Sequence, residues 1–201
     1  MKFIKEKNTY IFIIAVICLT VIDAVIWRQL SLVRKLATVF AVLAAAHEIE
    51  EKIWPGGFFE LMLIKFGMKK EETDLGRATL AVSIYWLLLI ALPYIFDQYA
   101  WLLVITIALS FFEAFIHTTG IAIHRMKKPY TPGLVTAWLL AVVAIIAVVQ
   151  LNAYGMVSAG GYVAGTILMI LSFICLDMVI ISGFEKKISE IMGSVRSREN
   201  K

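Results

Sequence analysis

Charge is scarce in this chain. Asp, Glu, Lys and Arg make up 17% of its 201 residues, and apolar residues make up 61%. A soluble domain carries about 25% charged and about 45–50% apolar residues. Cysteine is scarcer still. Only Cys18 and Cys175 occur, each inside an apolar run. That excludes a disulfide framework and a cysteine zinc site, and both are expected as small core hydrophobes. Three histidines are too few for a multi-histidine di-iron desaturase. Glycine-rich phosphate loops and serine nucleophile elbows are missing. No His-Glu-x-x-His zinc run exists, because Glu51 stands four residues after His47. No lysine lies in the middle of an apolar run, which excludes a retinal Schiff base. The net charge is +4, but no basic stripe interleaved with aromatics accompanies it, so nucleic acid is not an expected partner.

What is present is hydropathy, spread over the whole length at a mean of +0.85. This is not one anchor on a soluble body. A spanning helix needs about 20 residues, so the length accommodates about six spans and little else. The runs are 10–27, 36–54, 78–96, 100–124, 134–150 and 162–181. Lys2, Lys5 and Lys7 precede the first run, which is too long for a signal-peptide core and lacks a small-x-small cleavage site. Pro55-Gly56-Gly57 ends the second run, and residues 58–68 are too short to span, so they read as an amphipathic surface helix. The expected fold is all-α: a polytopic membrane bundle of about six transmembrane helices plus one short interfacial helix. The membrane domain covers residues 1–184 and a polar tail covers 185–201. The bilayer is the expected partner, and the oligomeric state is left open.

Orientation follows from the basic residues. With the N-terminus inside, all of the 19 Lys and Arg except Arg28, Arg34 and Lys35 fall on the cytoplasmic side. This positive-inside bias predicts a multi-pass protein of the cell membrane with both termini in the cytoplasm.

Ionisable residues inside a span cost about 2.5–3.5 kcal/mol each on insertion scales, so each asks for a reason. Two groups stand out. His47, Glu50 and Glu51 are spaced i, i+3 and i+4 on one helix face, with Glu48 pointing elsewhere. Glu113 and His117 are spaced i and i+4, with His124 seven residues further on. The second and fourth spans run in the same direction. His47 and His117 therefore sit at similar depth, roughly 10 Å from the cytoplasmic ends.

Two helices presenting imidazoles and carboxylates at one level predict a metal site. Zinc takes three His, Asp or Glu ligands plus water at a catalytic centre, and iron or manganese uses the same residue types. The expected ligands are His47, His117 and Glu51 or Glu50. Glu50 or Glu113 would move a proton, with Glu113 otherwise a further ligand. Glu113 and His124 are about 16 Å apart along the axis, so they cannot share one ion. His124 and Tyr130 are expected to contact substrate at the cytoplasmic mouth. Asp177 is expected to orient a histidine ligand. The Lys128-Pro129 and Thr131-Pro132-Gly133 steps also read as a rigid turn starting the fifth span.

The run His47-x-x-Glu50-Glu51 resembles the signature of the HXXEE family of membrane proteins. Tyr130-Thr131-Pro132-Gly133 is similar to that family's Tyr-x-Pro-Gly motif. The likeness covers roughly residues 40–140. It implies signature status for His47, Glu50, Glu51, Tyr130, Pro132 and Gly133, and it implies no reaction, since the family's activity is not established. Intramembrane CAAX-type proteases also combine paired glutamates with histidines, but Pro55 stands where their arginine would be.

The leading expectation is a metal-dependent hydrolase acting on a lipid or a membrane-borne peptide. A transporter or proton pathway is the alternative, opposed by the apolar outer halves of the second and fourth spans and by the lack of internal repeats. A non-catalytic structural or accessory protein is the third reading.

Overall fold

A computed structural model describes residues 2–65 and 75–182. The last residues of the expected surface helix, most of the 69–77 loop and the tail from 185 lie outside the described residues. Within them the chain is all-α. Its helices are α1 (Lys2–Ile26), α2 (Leu32–Lys52), α3 (Phe58–Lys65), α4 (Leu75–Ile95), α5 (Leu103–Ile123), α6 (Leu134–Ala153) and α7 (Ala159–Ser182). Short 3-10 turns at Trp27–Gln29 and Ala100–Leu102 precede α2 and α5.

Five stretches are long and apolar enough to cross a membrane: Lys7–Gln29, Leu75–Ile95, Ala100–Ile123, Leu134–Ala153 and Ala159–Ile180. The sequence predicted six. The missing one is α2, which has the length at 21 residues but carries charges through its last two turns. The outward faces are those of a membrane protein. Val25 is 83% exposed, Met178 64% and Val149 61%, and water would not tolerate apolar surface on that scale. Cys18 and Cys175 are also on this outer surface, which corrects the expectation of core cysteines. Both lie on the most lipid-exposed helices, where a small hydrophobe needs no burial.

The centre of the bundle is α2, which touches α1, α3, α4, α5 and α6. Next to it, α5 packs against α4, α6 and α7. Small residues make this tight packing available. Val33, Ala37, Phe40, Ala41 and Ala44 of α2 are fully buried, and Ala137, Leu140, Ala144, Ala147 and Leu151 repeat the pattern at three- and four-residue steps on α6. Without a hydrophobic driving force between helices in lipid, such close backbone approach supplies the attraction. Ser31 caps α2 by accepting from the Arg34 N–H at 3.2 Å.

Pro93 lies inside α4. It has no N–H, so the carbonyl of Leu89, four residues back, loses its helical donor. The Thr106 hydroxyl of α5 donates to that carbonyl at 2.8 Å. In hydrocarbon an unpaired carbonyl has no water to turn to, so this bond both repairs α4 and fixes its register against α5. At the far end of the bundle, buried Asp23 accepts from Thr38 and from Tyr94, the latter at 2.6 Å, tying α1, α2 and α4.

Replacing Thr106 with Val keeps the shape and removes the donor. The expected cost is about 1–3 kcal/mol, seen as a lower unfolding temperature of the detergent-solubilised protein, with any bound metal retained.

Candidate metal centre

The last two turns of α2 are polar on every side, and each side meets a different neighbour. His47 and Glu51 face α5. Glu50 faces the start of α6. Glu48 faces α1 and α4. None of the four is more than 9% exposed.

On the α5 side, His47, Glu51, Glu113 and His117 converge. One ligand atom from each lies within 4.8 Å of all the others. His117 Nε2 is 3.0 Å from Glu51 Oε1 and 3.6 Å from Glu113 Oε2. His47 Nε2 is 3.5 Å and 3.7 Å from the same two oxygens. The two rings meet edge to face, with centroids 5.0 Å apart. This is the spacing of donors around one ion. Ligand bonds of about 2.0 Å in a tetrahedron put neighbouring donors about 3.3 Å apart.

Hydrogen bonding does not account for the cluster. Both Nε2 atoms are buried and neither has a hydrogen-bond partner. Even Glu51 Oε1, at 3.0 Å, lies off the direction in which the His117 ring nitrogen points. The other ring nitrogen explains why. Thr131 donates its hydroxyl proton to the His117 backbone carbonyl at 2.9 Å, and its oxygen lies 3.3 Å from His117 Nδ1. With that proton committed, Thr131 serves Nδ1 as an acceptor. Nδ1 therefore carries a ring proton, and Nε2 is the nitrogen turned to the cluster. Such an outer partner is the usual companion of a metal-binding histidine.

The surroundings are packed to this arrangement. Gly133 opens α6 with φ of +96°. A Cβ there would lie 2.5 Å from His117 Cε1 and 2.8 Å from Glu51 Cγ. Both the backbone angle and the space require glycine. Phe58 of α3 stacks at 4.5 Å on His117, and Trp86 of α4 lies 6.3 Å from His47. Glu113 is the most open of the four, its side chain 16% exposed.

The structure does not bring Glu50 to this group. Its Oε1 accepts from the Tyr130 hydroxyl at 2.9 Å and the Val135 N–H at 3.2 Å. Its Oε2 accepts from the Thr136 N–H at 2.8 Å and the Thr136 hydroxyl at 2.5 Å. A carboxylate with four donors at the first turn of α6 also meets the positive end of that helix. No lone pair is left over for a substrate proton. Tyr130, expected to contact substrate, spends its proton on Glu50. Partial burial, and then the hydrogen bond and charge of Glu50, push its pKa up to about 12, so it remains a donor. Together with Ala46, Ile49, Trp54, Pro55 and Val135, it lines a groove of about 520 Å³.

His124 caps the end of α5, its N–H donating to the Gly120 carbonyl at 2.9 Å, outside the four-residue group. Asp177 of α7 is half-buried and feels the charge of Glu113, as does Tyr85, whose hydroxyl meets Ser172 of α7 at 3.0 Å. On the third side of α2, buried Glu48 pairs with Lys52 and accepts from Ser83 at 3.2 Å. The Ser83 hydroxyl also lies 3.1 Å from the Asn8 side-chain oxygen, so its single proton is shared between two acceptors, and the Asn8 amide reaches Thr79 at 3.0 Å.

The match with known proteins follows this geometry. A family described as proteins of unknown function with an HXXEE motif matches residues 38–149. The chain belongs to the HXXEE family. Searches of curated proteins and of solved structures gave no match. The matched stretch runs from the middle of α2 through α6, so it holds all four clustered residues and the Tyr130–Gly133 turn. The threonines behind the two imidazoles, Thr131 at His117 and Thr136 with its hydroxyl 2.9 Å from His47 Nδ1, were missed by sequence reasoning. Thr131 is the variable position of Tyr-x-Pro-Gly, and Thr136 follows three residues after Gly133. A hydroxyl at each was the available signal.

Gly133→Ala drives a methyl into His117 and Glu51. The expected result is at least a tenfold loss of metal affinity on the scale of lost outer contacts, read by titration of the purified protein with Co(II) or Zn(II).

Proposed function

We propose that this protein is an intramembrane metalloprotein that holds one divalent ion between α2 and α5 and acts as a metal-dependent hydrolase on a lipid or other membrane-borne substrate. The observation that carries the reading is the pair of buried Nε2 atoms, neither with a hydrogen-bond partner, meeting two carboxylates around one point. Two imidazole nitrogens and two carboxylates at that spacing suit a bound cation.

Charge selects its valence. Glu51 and Glu113 supply two negative charges beside two neutral imidazoles, so a divalent ion leaves no net charge to bury. The same accounting supports α2 as a sixth span. Lys52 neutralises Glu48, the α6 helix start meets Glu50, and the ion meets Glu51 and Glu113. Charges that disqualify α2 by composition are matched inside the bundle. The site end then lies at the cytoplasmic face, where the connection to α6 carries Arg125, Lys127 and Lys128.

Zinc, iron and manganese all suit this donor set. When bound, the ion supplies a Lewis acid for a carbonyl or phosphoryl oxygen. His47, His117 and Glu51, which has the shorter contacts to both rings, would hold it. Glu113 has the longer contacts and the greater exposure, and it takes a proton from the attacking water. Asp177 and Tyr85 stand on the Glu113 side, where substrate approaches.

A closed four-ligand site with a purely structural role is the second reading. It is favoured by the mutual approach of all four donors within 4.8 Å. The two part on Glu113→Gln. A hydrolase keeps near-stoichiometric metal and loses turnover, whereas a structural site loses metal and thermal stability together.

Elemental analysis of detergent-purified protein should find about one zinc, iron or manganese per chain, the complement of one four-donor site. The His47→Ala, His117→Ala double variant should lose it. Wild-type protein that stays metal-free after reconstitution sinks the reading.

A further inference from the structure

Glu50 stands in the signature run yet touches no other member of the metal cluster. Its partners show what it does instead. Thr136 sits between Glu50 and His47. Its hydroxyl oxygen is 2.5 Å from Glu50 Oε2, 2.9 Å from His47 Nδ1 and 3.2 Å from the Gly133 carbonyl. A threonine hydroxyl has one proton to give. Two of these three neighbours can only accept. The carboxylate is the nearest and the stronger acceptor, so it takes the proton. Were the proton turned toward His47, two oxygens 2.5 Å apart would face each other with lone pairs only. The one consistent assignment has Thr136 donating to Glu50 and accepting from His47 Nδ1–H.

From this geometry we infer that Glu50 is a positioning residue: through Thr136 it sets His47 in the Nδ1–H tautomer and turns the Nε2 lone pair into the cluster. The inference rests on the metal reading above for its purpose, though not for its geometry. It explains why the motif carries adjacent glutamates. On a helix, neighbouring residues point about 100° apart. Glu51 reaches the ion on one face of α2, and Glu50 reaches the helix start that orients His47 on another. Thr131 gives His117 the same tautomer by a shorter route, through the histidine's own carbonyl. Each imidazole thus has a hydroxyl behind it, and each hydroxyl has its proton committed elsewhere.

The chain has three histidines, so ¹⁵N-histidine labelling gives a spectrum simple enough to assign by substitution. In metal-free wild-type protein in detergent micelles, at a pH high enough that both imidazoles are neutral, His47 and His117 should both show the Nδ1–H tautomer. Thr136→Val removes the acceptor, and Glu50→Asp withdraws the carboxylate from Thr136 while keeping its charge. Both should move His47 to mixed tautomers and leave His117 unchanged. Thr131→Val should do the reverse. Co(II) affinity should fall about 10- to 100-fold in Thr136→Val and Glu50→Asp, the range for lost outer partners of a ligating histidine. Thr136→Ser, which keeps the hydroxyl, should restore both readouts.

A His47 signal that stays Nδ1–H in Glu50→Asp, with cobalt affinity unchanged, overturns the role assigned to Glu50 and leaves it a cap for α6. Should Glu50→Asp not fold, the Thr136 pair decides by the same signals. Wild-type protein that binds no cobalt overturns the metal reading instead, and the nitrogen signals of metal-free protein still decide this one.

Discussion

The cost of bringing charge into hydrocarbon governs this molecule. Seven ionisable residues crowd the last two turns of α2 or the facing turns of α5, and none has bulk water as its partner. Each must find compensation within the bundle. Lys52 answers Glu48 one turn away. The donors at the start of α6 answer Glu50. Glu51 and Glu113 meet the two imidazoles in a group that could hold a metal ion. Much of the tertiary structure follows. α4 supplies Ser83 to Glu48, α6 begins where Glu50 needs its N–H groups, and α5 runs in the direction of α2 so that its own charges arrive at the same level. The alanine faces of α2 and α6 bring the helix axes close enough for these short side chains to meet.

The bundle was largely readable from the chain, because a bilayer leaves few ways to satisfy a backbone and apolar runs must be helices. The common depth of His47 and His117 was also readable, from counting residues back from helix ends in two parallel spans. What could not be read was the division of labour around α2. His47, Glu50 and Glu51 share a broad face in projection, yet the rotation of about 100° between neighbours is enough to send Glu50 to α6 while Glu51 goes to α5. Which neighbour stands on which side is a property of packing and not of spacing. The threonines were hidden for a related reason. Thr131 and Thr136 look like ordinary turn residues, and only the folded turn places their hydroxyls behind imidazoles from two other helices. The pairing of Thr106 with the carbonyl freed by Pro93 is hidden in the same way, since the chain shows the vacancy and not the helix that fills it.

The two signature motifs therefore form one device. On the proposed reading, His47 and Glu51 provide ligands and Glu50 a clamp. Tyr130 to Gly133 provide the clamp's donor, one histidine's acceptor and the clearance between His117 and Glu51. Neither half does its work without the other, although about 80 residues separate them on the scale of the hydrogen bond between Tyr130 and Glu50.

The absence of a side chain at Gly133 lets the start of α6 press directly against residues from α2 and α5, and this has a consequence for biosynthesis. The ribosome delivers the chain from its N-terminus, so α2 and α5 enter the membrane before the turn exists. Until Thr136 has emerged, His47 has no acceptor behind it and Glu50 has no helix start to meet. Buried polar residues of α2 thus wait on a later segment for their completion. The connection to α6 acts as a keystone, and on the proposed metal reading loading belongs after its insertion and not before.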